Sequence, residues 1–376
     1  MKRWVQPPPK PQPQPPFLRS YLYPRNTNRA QKTFKASDYT TIYKYPPMPN
    51  KPVTIGVVSF GGGLYGAYNS KTCVLTGGDV QKYWASVCGM TSLPTVLVVP
   101  VGAGNTPRGS GTDENTLDVT TIGACYPSSN VTIVLYIAPN SIAGFRNAFA
   151  TAINGTRVNG RTIKSNVISC SWGASEVSWG ASTCKTMDGL FAQAKAAGIP
   201  ICCASGDYGS GNGLPGLNVD FPASSPNVIA CGGTSLVCPT LVWDISTVET
   251  VWNAGGAATG GGVSTIFPRP AYQTWSLSTM RSLPDIAMNA DPNTGVSILL
   301  NGVTYICGGT SIVAPAMAAF VARCPKPCHV DSIYKAPATC FNDITSGNNG
   351  TWAAAGGFDL CTGRGSLIGT ALSAAL

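Results

Sequence analysis

A chain of 376 residues that is 44% hydrophobic and only 11% charged can bury a large core, and its 43 glycines and 30 prolines suit a loop-rich α/β or β fold rather than a helical bundle. The formal net charge of +9 lies in the first 53 residues, which hold ten Lys or Arg and one acid and leave fifteen of each sign in the remainder. This excludes a basic nucleic-acid surface on the folded body.

Residues 1–37 read as a basic, Pro-rich disordered arm, because Pro7-Pro8-Pro9-Lys10-Pro11-Gln12-Pro13 is polyproline II material that cannot pack a core. The arm is a solvated linker or, alternatively, a docking arm, and it is the one place where nucleic acid would find basic partners. Met1-Lys2-Arg3-Trp4 runs into prolines, so no ordinary signal peptide is expected, and no apolar run reaches the roughly 18 residues of a membrane span. From Asp38 to Leu376 the chain reads as a single folded domain. Val53-Thr54-Ile55-Gly56-Val57-Val58-Ser59-Phe60 has the near-continuous apolar character of a strand buried on both faces, and Gly61-Gly62-Gly63 ends it in a turn.

Similar runs recur at 95–101, 131–138, 166–171, 199–204 and 227–230. Helix-length segments lie between several of them, most clearly at 145–153 and at 187–197, where Gly198 supplies a C-cap. This alternation predicts an α/β fold: a doubly wound, mostly parallel sheet with helices on both faces. Sites in such sheets lie at the carboxyl ends of the strands.

Carboxylates are scarce, so their clusters are informative. Thr112-Asp113-Glu114-Asn115-Thr116-Leu117-Asp118 opens like a helix and puts Glu114 and Asp118 on one face, where two acids without a base share a proton or simply form a solvated acidic surface. Asp207, in Ser205-Gly206-Asp207-Tyr208-Gly209, follows an apolar strand directly and is either an active-site acid or a turn former. Cys307-Gly308-Gly309-Thr310-Ser311 then leads into an Ala-rich helix, which places the Ser311 hydroxyl at a helix N-terminus as a cap or as a nucleophile. The single histidine, His329, sits in a Cys- and Pro-rich turn with no acid to orient it, so a serine nucleophile would need a carboxylate as base.

Glu-x-x-x-Asp, a Gly-Asp-x-Gly acid after a strand, and Gly-Thr-Ser-x-x-x-Pro, in that order, resemble the sedolisin family of serine-carboxyl peptidases, whose fold is subtilisin-like. Ile168-Ser169-Cys170-Ser171-Trp172-Gly173-Ala174-Ser175-Glu176, Val219-Asp220-Phe221-Pro222, Gly260-Gly261-Gly262-Val263-Ser264 and Leu283-Pro284-Asp285-Ile286-Ala287 extend the likeness over roughly residues 38–376. The resemblance implies that Ser311 is the nucleophile, Glu114 the general base, Asp118 the acid that orients it and shares its proton, and Asp207 the oxyanion-hole acid. An oxyanion donor must carry a proton while the base accepts one, so activity is expected in acid and not near neutrality. The resemblance also implies one structural Ca²⁺ in a C-terminal loop, held by the carboxylates of Asp343 and Asp359 and the carbonyls of Ile344, Ala355 and Gly357.

Two departures from the family stand out. Ser59 occupies a position where family members often carry Glu, and only the short arm precedes the body where a folded propeptide is usual. The expected protein is an acid-acting endopeptidase, monomeric, acting on polypeptides in an acidic compartment, extracellular or particle-associated. The alternatives are a tripeptidyl exopeptidase of the same family and a silent scaffold with a binding or particle-associated role. The fourteen cysteines, without zinc-site spacing, are disulfides or buried thiols. The sequons at Asn130, Asn154 and Asn349 point only weakly to a secretory route.

Overall fold

A computed structural model describes Arg19–Ser20 and residues 33–376. The first fourteen strands in chain order are β1 (Arg19–Ser20), β2 (Val53–Phe60), β3 (Ala67–Tyr68), β4 (Val74–Thr76), β5 (Thr95–Pro100), β6 (Val131–Ala138), β7 (Thr156–Val158), β8 (Arg161–Ile163), β9 (Val167–Cys170), β10 (Trp172–Ser175), β11 (Ile201–Ala204), β12 (Asp220–Phe221), β13 (Ile229–Val237) and β14 (Val248–Val251). The helices that frame them are α1 (Asp38–Ile42), α2 (Asp79–Ser86), α3 (Thr112–Cys125), α4 (Ile142–Asn154), α5 (Glu176–Trp179), α6 (Ala181–Ala196) and α7 (Thr310–Arg323).

The central sheet runs β14-β13-β11-β9-β2-β6-β5-β4-β3, with the Ile286–Asn289 strand also paired to β13. From β13 to β5 every pairing is parallel, and antiparallel strands close both edges. The parallel strands β2, β5, β6, β9 and β11 lie within the apolar runs read in the sequence, β13 extends well past its run, and β3, β4, β14 and the Ile286–Asn289 strand were not among those runs.

The sheet is buried on both faces, and β2 shows how. Val53, Ile55 and Val57 pack into one apolar cluster together with Leu117, Val119 and Ile122 of α3 and Ile312 and Val313 of α7. Val58 and Phe60 point to the opposite cluster, with Phe145 and Phe149 of α4 and Met187 and Phe191 of α6. Period-two alternation therefore sorts one strand between two helical layers.

Most of the arm read from the sequence lies outside the described residues. Within them, Phe34 and Ala36 are buried in the core, and the Phe34 N–H bonds the Gly295 carbonyl at 2.9 Å. β1 pairs antiparallel with β10, Arg19 opposite Gly173 and Ser20 opposite Trp172. All fourteen cysteines are thiols, twelve of them buried. Asn130 and Asn154 are exposed, whereas Asn349 is buried and donates to the Gly261 and Leu360 carbonyls. No helix among the described residues is long and apolar enough to cross a membrane.

Candidate active site

The carboxyl ends of the parallel strands bring three chain segments together. The first is α3. Gly61 and Gly62, at φ 67° and 63°, turn the chain after β2, and a Cβ on Gly62 would lie 2.4 Å from the Thr112 N that begins the helix. Only glycine allows that approach, which sets the depth at which α3 enters the core. As a result Glu114 and Asp118, one helical turn apart, are both fully buried. The solvated acidic surface is thereby excluded for them.

The second segment follows β11, where Asp207 is also fully buried. Its Oδ1 accepts two hydrogen bonds of 2.8 Å, from the Thr310 N–H and the Thr310 hydroxyl. Its Oδ2 is buried with no hydrogen-bond partner. One oxygen is thus fixed and the other left without a hydrogen bond.

The third segment is the N-terminus of α7. Gly309 caps it at φ 107°, with its N–H bonded to the Ala290 carbonyl at 2.6 Å, and Thr310 and Ser311 form the first turn, both fully buried. The Ser311 hydroxyl faces the Glu114 carboxyl and favours its ionised form, yet neither Glu114 oxygen has a hydrogen bond of standard length and angle.

The electrostatics follow from burial. Desolvation pushes the Glu114 carboxyl well above the usual range, and the charges of Asp118 and Asp113 push it further. Desolvation likewise raises Asp118, partly opposed by a hydrogen bond from Ser171. Asp207 is raised by desolvation against the two donors of Thr310. None of the three forms an ion pair among the described residues. Glu114 and Asp118 therefore titrate as a pair that holds a proton well above the ordinary carboxyl range.

Further side chains lie around these four, and of them Ser171 was not singled out by the sequence. Ser171, directly after β9, lies with its hydroxyl 2.7 Å from Asp118 Oδ1, and the signal available was its place at a strand's carboxyl end. Ser59 accepts from Trp172 Nε1 at 2.9 Å and bonds the Asn115 side chain, so a hydroxyl held by an indole and an amide stands where family members often have a carboxyl. Trp172, Thr112 and Asp113 border a cleft of about 820 Å³, whose walls also include Tyr65, Arg108 and Tyr305. His329 stands elsewhere, at the start of a short helix beside Lys195 and Asp331.

The residues read as a calcium loop also meet. Asp343 Oδ2 accepts from the Gly357 N–H at 2.8 Å, and the buried Asp359 carboxyl accepts from the N–H groups of Ala355, Cys361 and Thr362. None of the hydrogen bonds recorded among the described residues ends on the carbonyls of Ile344, Ala355 or Gly357. Two acids with three uncommitted loop carbonyls fit a hard cation. There is no cluster of three or more His, Cys, Asp or Glu among the described residues that could hold a metal ion.

Comparison with known proteins agrees with this architecture. Residues 146–326 match the subtilase family, peptidase family S8. The chain is 38% identical to kumamolisin of Bacillus sp. (strain MN-32) over 94% of its own length and 65% of the relative's. It is 31% identical to sedolisin of Pseudomonas sp. (strain 101) over 91% of its length and 61% of the relative's. It thus spans less than two thirds of both of these curated relatives. The solved structure of Pseudomonas sedolisin, a serine-carboxyl proteinase complexed with two molecules of pseudo-iodotyrostatin, superposes with a TM-score of 0.77 at 30% identity, covering 91% of this chain and 97% of that one.

Proposed function

The chain belongs to the sedolisin family of serine-carboxyl peptidases, and from that premise we propose that it is an acid-acting endopeptidase that cleaves polypeptides through a Ser311 acyl-enzyme. The observation that carries the reading is the convergence of Ser311, Glu114, Asp118 and Asp207 in one buried site with no histidine in it.

In this reading Ser311 Oγ attacks the scissile carbonyl carbon while its proton passes to Glu114. Asp118 shares the pair's remaining proton and steadies the carboxyl that receives it. The carbonyl oxygen becomes an oxyanion and accepts a hydrogen bond from protonated Asp207 Oδ2. Collapse breaks the C–N bond, and Glu114 returns its proton to the leaving nitrogen. Water then attacks the ester with Glu114 again as base, which releases the acid product and restores Ser311. Asp207 acts only as a neutral acid, and its burial supports that state. The cleft of about 820 Å³ beside Trp172 offers room for substrate side chains.

We further propose that the loop of Asp343, Ile344, Ala355, Gly357 and Asp359 holds one structural Ca²⁺, supplying charge to a buried Asp359 that otherwise has no cationic partner among the described residues.

The test is chemical. The chain is incubated in acid with a slowly deacylated peptide ester, quenched and mapped by mass spectrometry. The acyl group is expected on Ser311 and absent from Ser311→Ala. Turnover without an adduct, or an adduct on another residue, contradicts the assignment. Peptide products from a denatured protein separate internal cleavage from the release of tripeptides.

A further inference from the structure

Asp207 has two carboxyl oxygens, and the surrounding donors treat them differently. Oδ1 accepts from the Thr310 N–H and from the Thr310 hydroxyl, each at 2.8 Å. A carboxyl oxygen offers two in-plane lone pairs, so these two donors fill Oδ1. Oδ2 is buried and has no hydrogen-bond partner.

The Thr310 hydroxyl is itself held in place. Its oxygen accepts from the Gly206 N–H at 3.2 Å, and its single hydrogen is committed to Asp207 Oδ1. A Cβ placed on Gly233 would lie 3.4 Å from the Thr310 Cγ2 methyl, so that methyl packs toward β13 while the hydroxyl faces Asp207. The side chain is fully buried, and a β-branched residue with both branches engaged has one χ1 to adopt.

A hydrogen on Oδ1 would meet two donors already aimed at that atom, whereas nothing contests Oδ2. We propose that Thr310 is a positioning residue that fixes the proton of neutral Asp207 on Oδ2, the oxygen that donates to the oxyanion. Thr310 directly precedes Ser311 in the first turn of α7, so the turn that presents the nucleophile also decides which oxygen of Asp207 is the acid. The catalytic consequence rests on the peptidase reading of the site, and the placement of the proton does not.

On the elements around Asp207 the titratable groups are Glu114 and Asp118 of α3, Tyr208 next to it in the chain, Asp220 of β12, and the thiols of Cys202 and Cys203 on β11, Cys231 on β13 and Cys307 before α7. Burial keeps the four thiols neutral in acid. No cationic side chain forms an ion pair with Asp207 among the described residues.

The direct test is neutron diffraction from crystals of the Ser311→Ala chain in deuterated acid buffer. Deuterium is expected on Asp207 Oδ2, with the Thr310 hydroxyl deuterium directed at Oδ1. Deuterium on Oδ1, or a Thr310 hydroxyl turned to another acceptor, overturns the proposal. A wild type without peptidase activity whose deuterium still sits on Oδ2 defeats the peptidase reading and upholds the role of Thr310.

Kinetics give a second test, with wild type, Thr310→Val and Thr310→Ser compared in the full chain. Thr310→Val keeps the shape and removes the hydroxyl, so the proton divides between the two oxygens; kcat is expected to fall on the order of tenfold with KM within about twofold, and Thr310→Ser recovers most of the loss. The hydroxyl's hydrogen bond favours ionised Asp207, so without it the acid stays neutral to higher pH and the alkaline limb of kcat/KM moves upward. In an Asp207→Asn background Thr310→Val moves no limb, because an amide does not ionise. An alkaline limb that stays in place in Thr310→Val, or one that moves equally in the Asp207→Asn background, overturns the proposal.

Discussion

Asp207 is where side-chain chemistry is most exposed to test. Its Oδ1 is fastened by Thr310 and its Oδ2 has no partner, so the two atoms have separate duties. Asp207→Ala removes the oxyanion donor and should cost on the order of 10²-fold to 10³-fold in kcat. Asp207→Asn places an N–H₂ where the acid had its proton and keeps an oxygen for Thr310. It should therefore retain more activity than Asp207→Ala and lose the fall-off at high pH, because an amide does not ionise; steady-state pH profiles of the two variants check this. Glu114, Asp118, Asp207 and Ser311 stood out in the sequence, the acids because acids are rare in this chain and Ser311 because it opens a helix, and the burial of all four is what the structure adds. Ser171 was not singled out, since its one local signal is its place just after β9 and its contact with Asp118 is made only in the folded chain.

At the scale of elements, the site depends on how deeply α3 and α7 are seated. The close approach of Gly62 to the Thr112 N gives a direct test: Gly62→Ala puts a Cβ into the start of α3 at a φ that L-residues resist. The strain alone is about 1–2 kcal/mol, and the clash adds to it, so the melting temperature should fall and kcat with it, as Glu114 is displaced from Ser311. Unchanged melting and activity would show that the turn has slack. The parallel strands were readable because burial on both faces demands unbroken β-branched runs, as in 53–60 and 131–138. Short edge strands such as Ala67–Tyr68 carry too few residues for a period to show. The acidic helix start at Thr112 was legible as a helix but not as a buried one, because its burial comes from segments distant in sequence, such as the Ser59–Gly63 turn that Asn115 bonds.

Over the whole molecule, buried acids link folding to pH. Desolvation raises the carboxyls of Glu114, Asp118, Asp207 and Glu249 above their usual range. Between the unfolded value near about 4 and the higher folded values, the folded state binds more protons than the unfolded state, so stability falls as pH rises. Each group contributes about 1.4 kcal/mol per pH unit within its window. Asp331, held below its usual range by Lys335 and Lys195 despite partial burial, works in the opposite sense in strong acid. The melting temperature should therefore be highest in moderate acid and decline toward neutrality; a stability that rises steadily to pH 7 would contradict the buried-acid account. Calcium at about 100 times its Kd should add about 2.7 kcal/mol, seen as a higher melting temperature that Asp359→Ala abolishes. No shift with calcium in the wild type would refute the loop assignment.

The measurement that bears most directly on the central claim is hydrolysis of a denatured protein from about pH 2.5 to 7.5 by the wild type, Ser311→Ala and Asp207→Ala. A serine-carboxyl peptidase gives activity confined to acid that Ser311→Ala abolishes and Asp207→Ala nearly abolishes. No hydrolysis at any pH by folded, calcium-loaded protein, or neutral activity that survives Asp207→Ala, would contradict it.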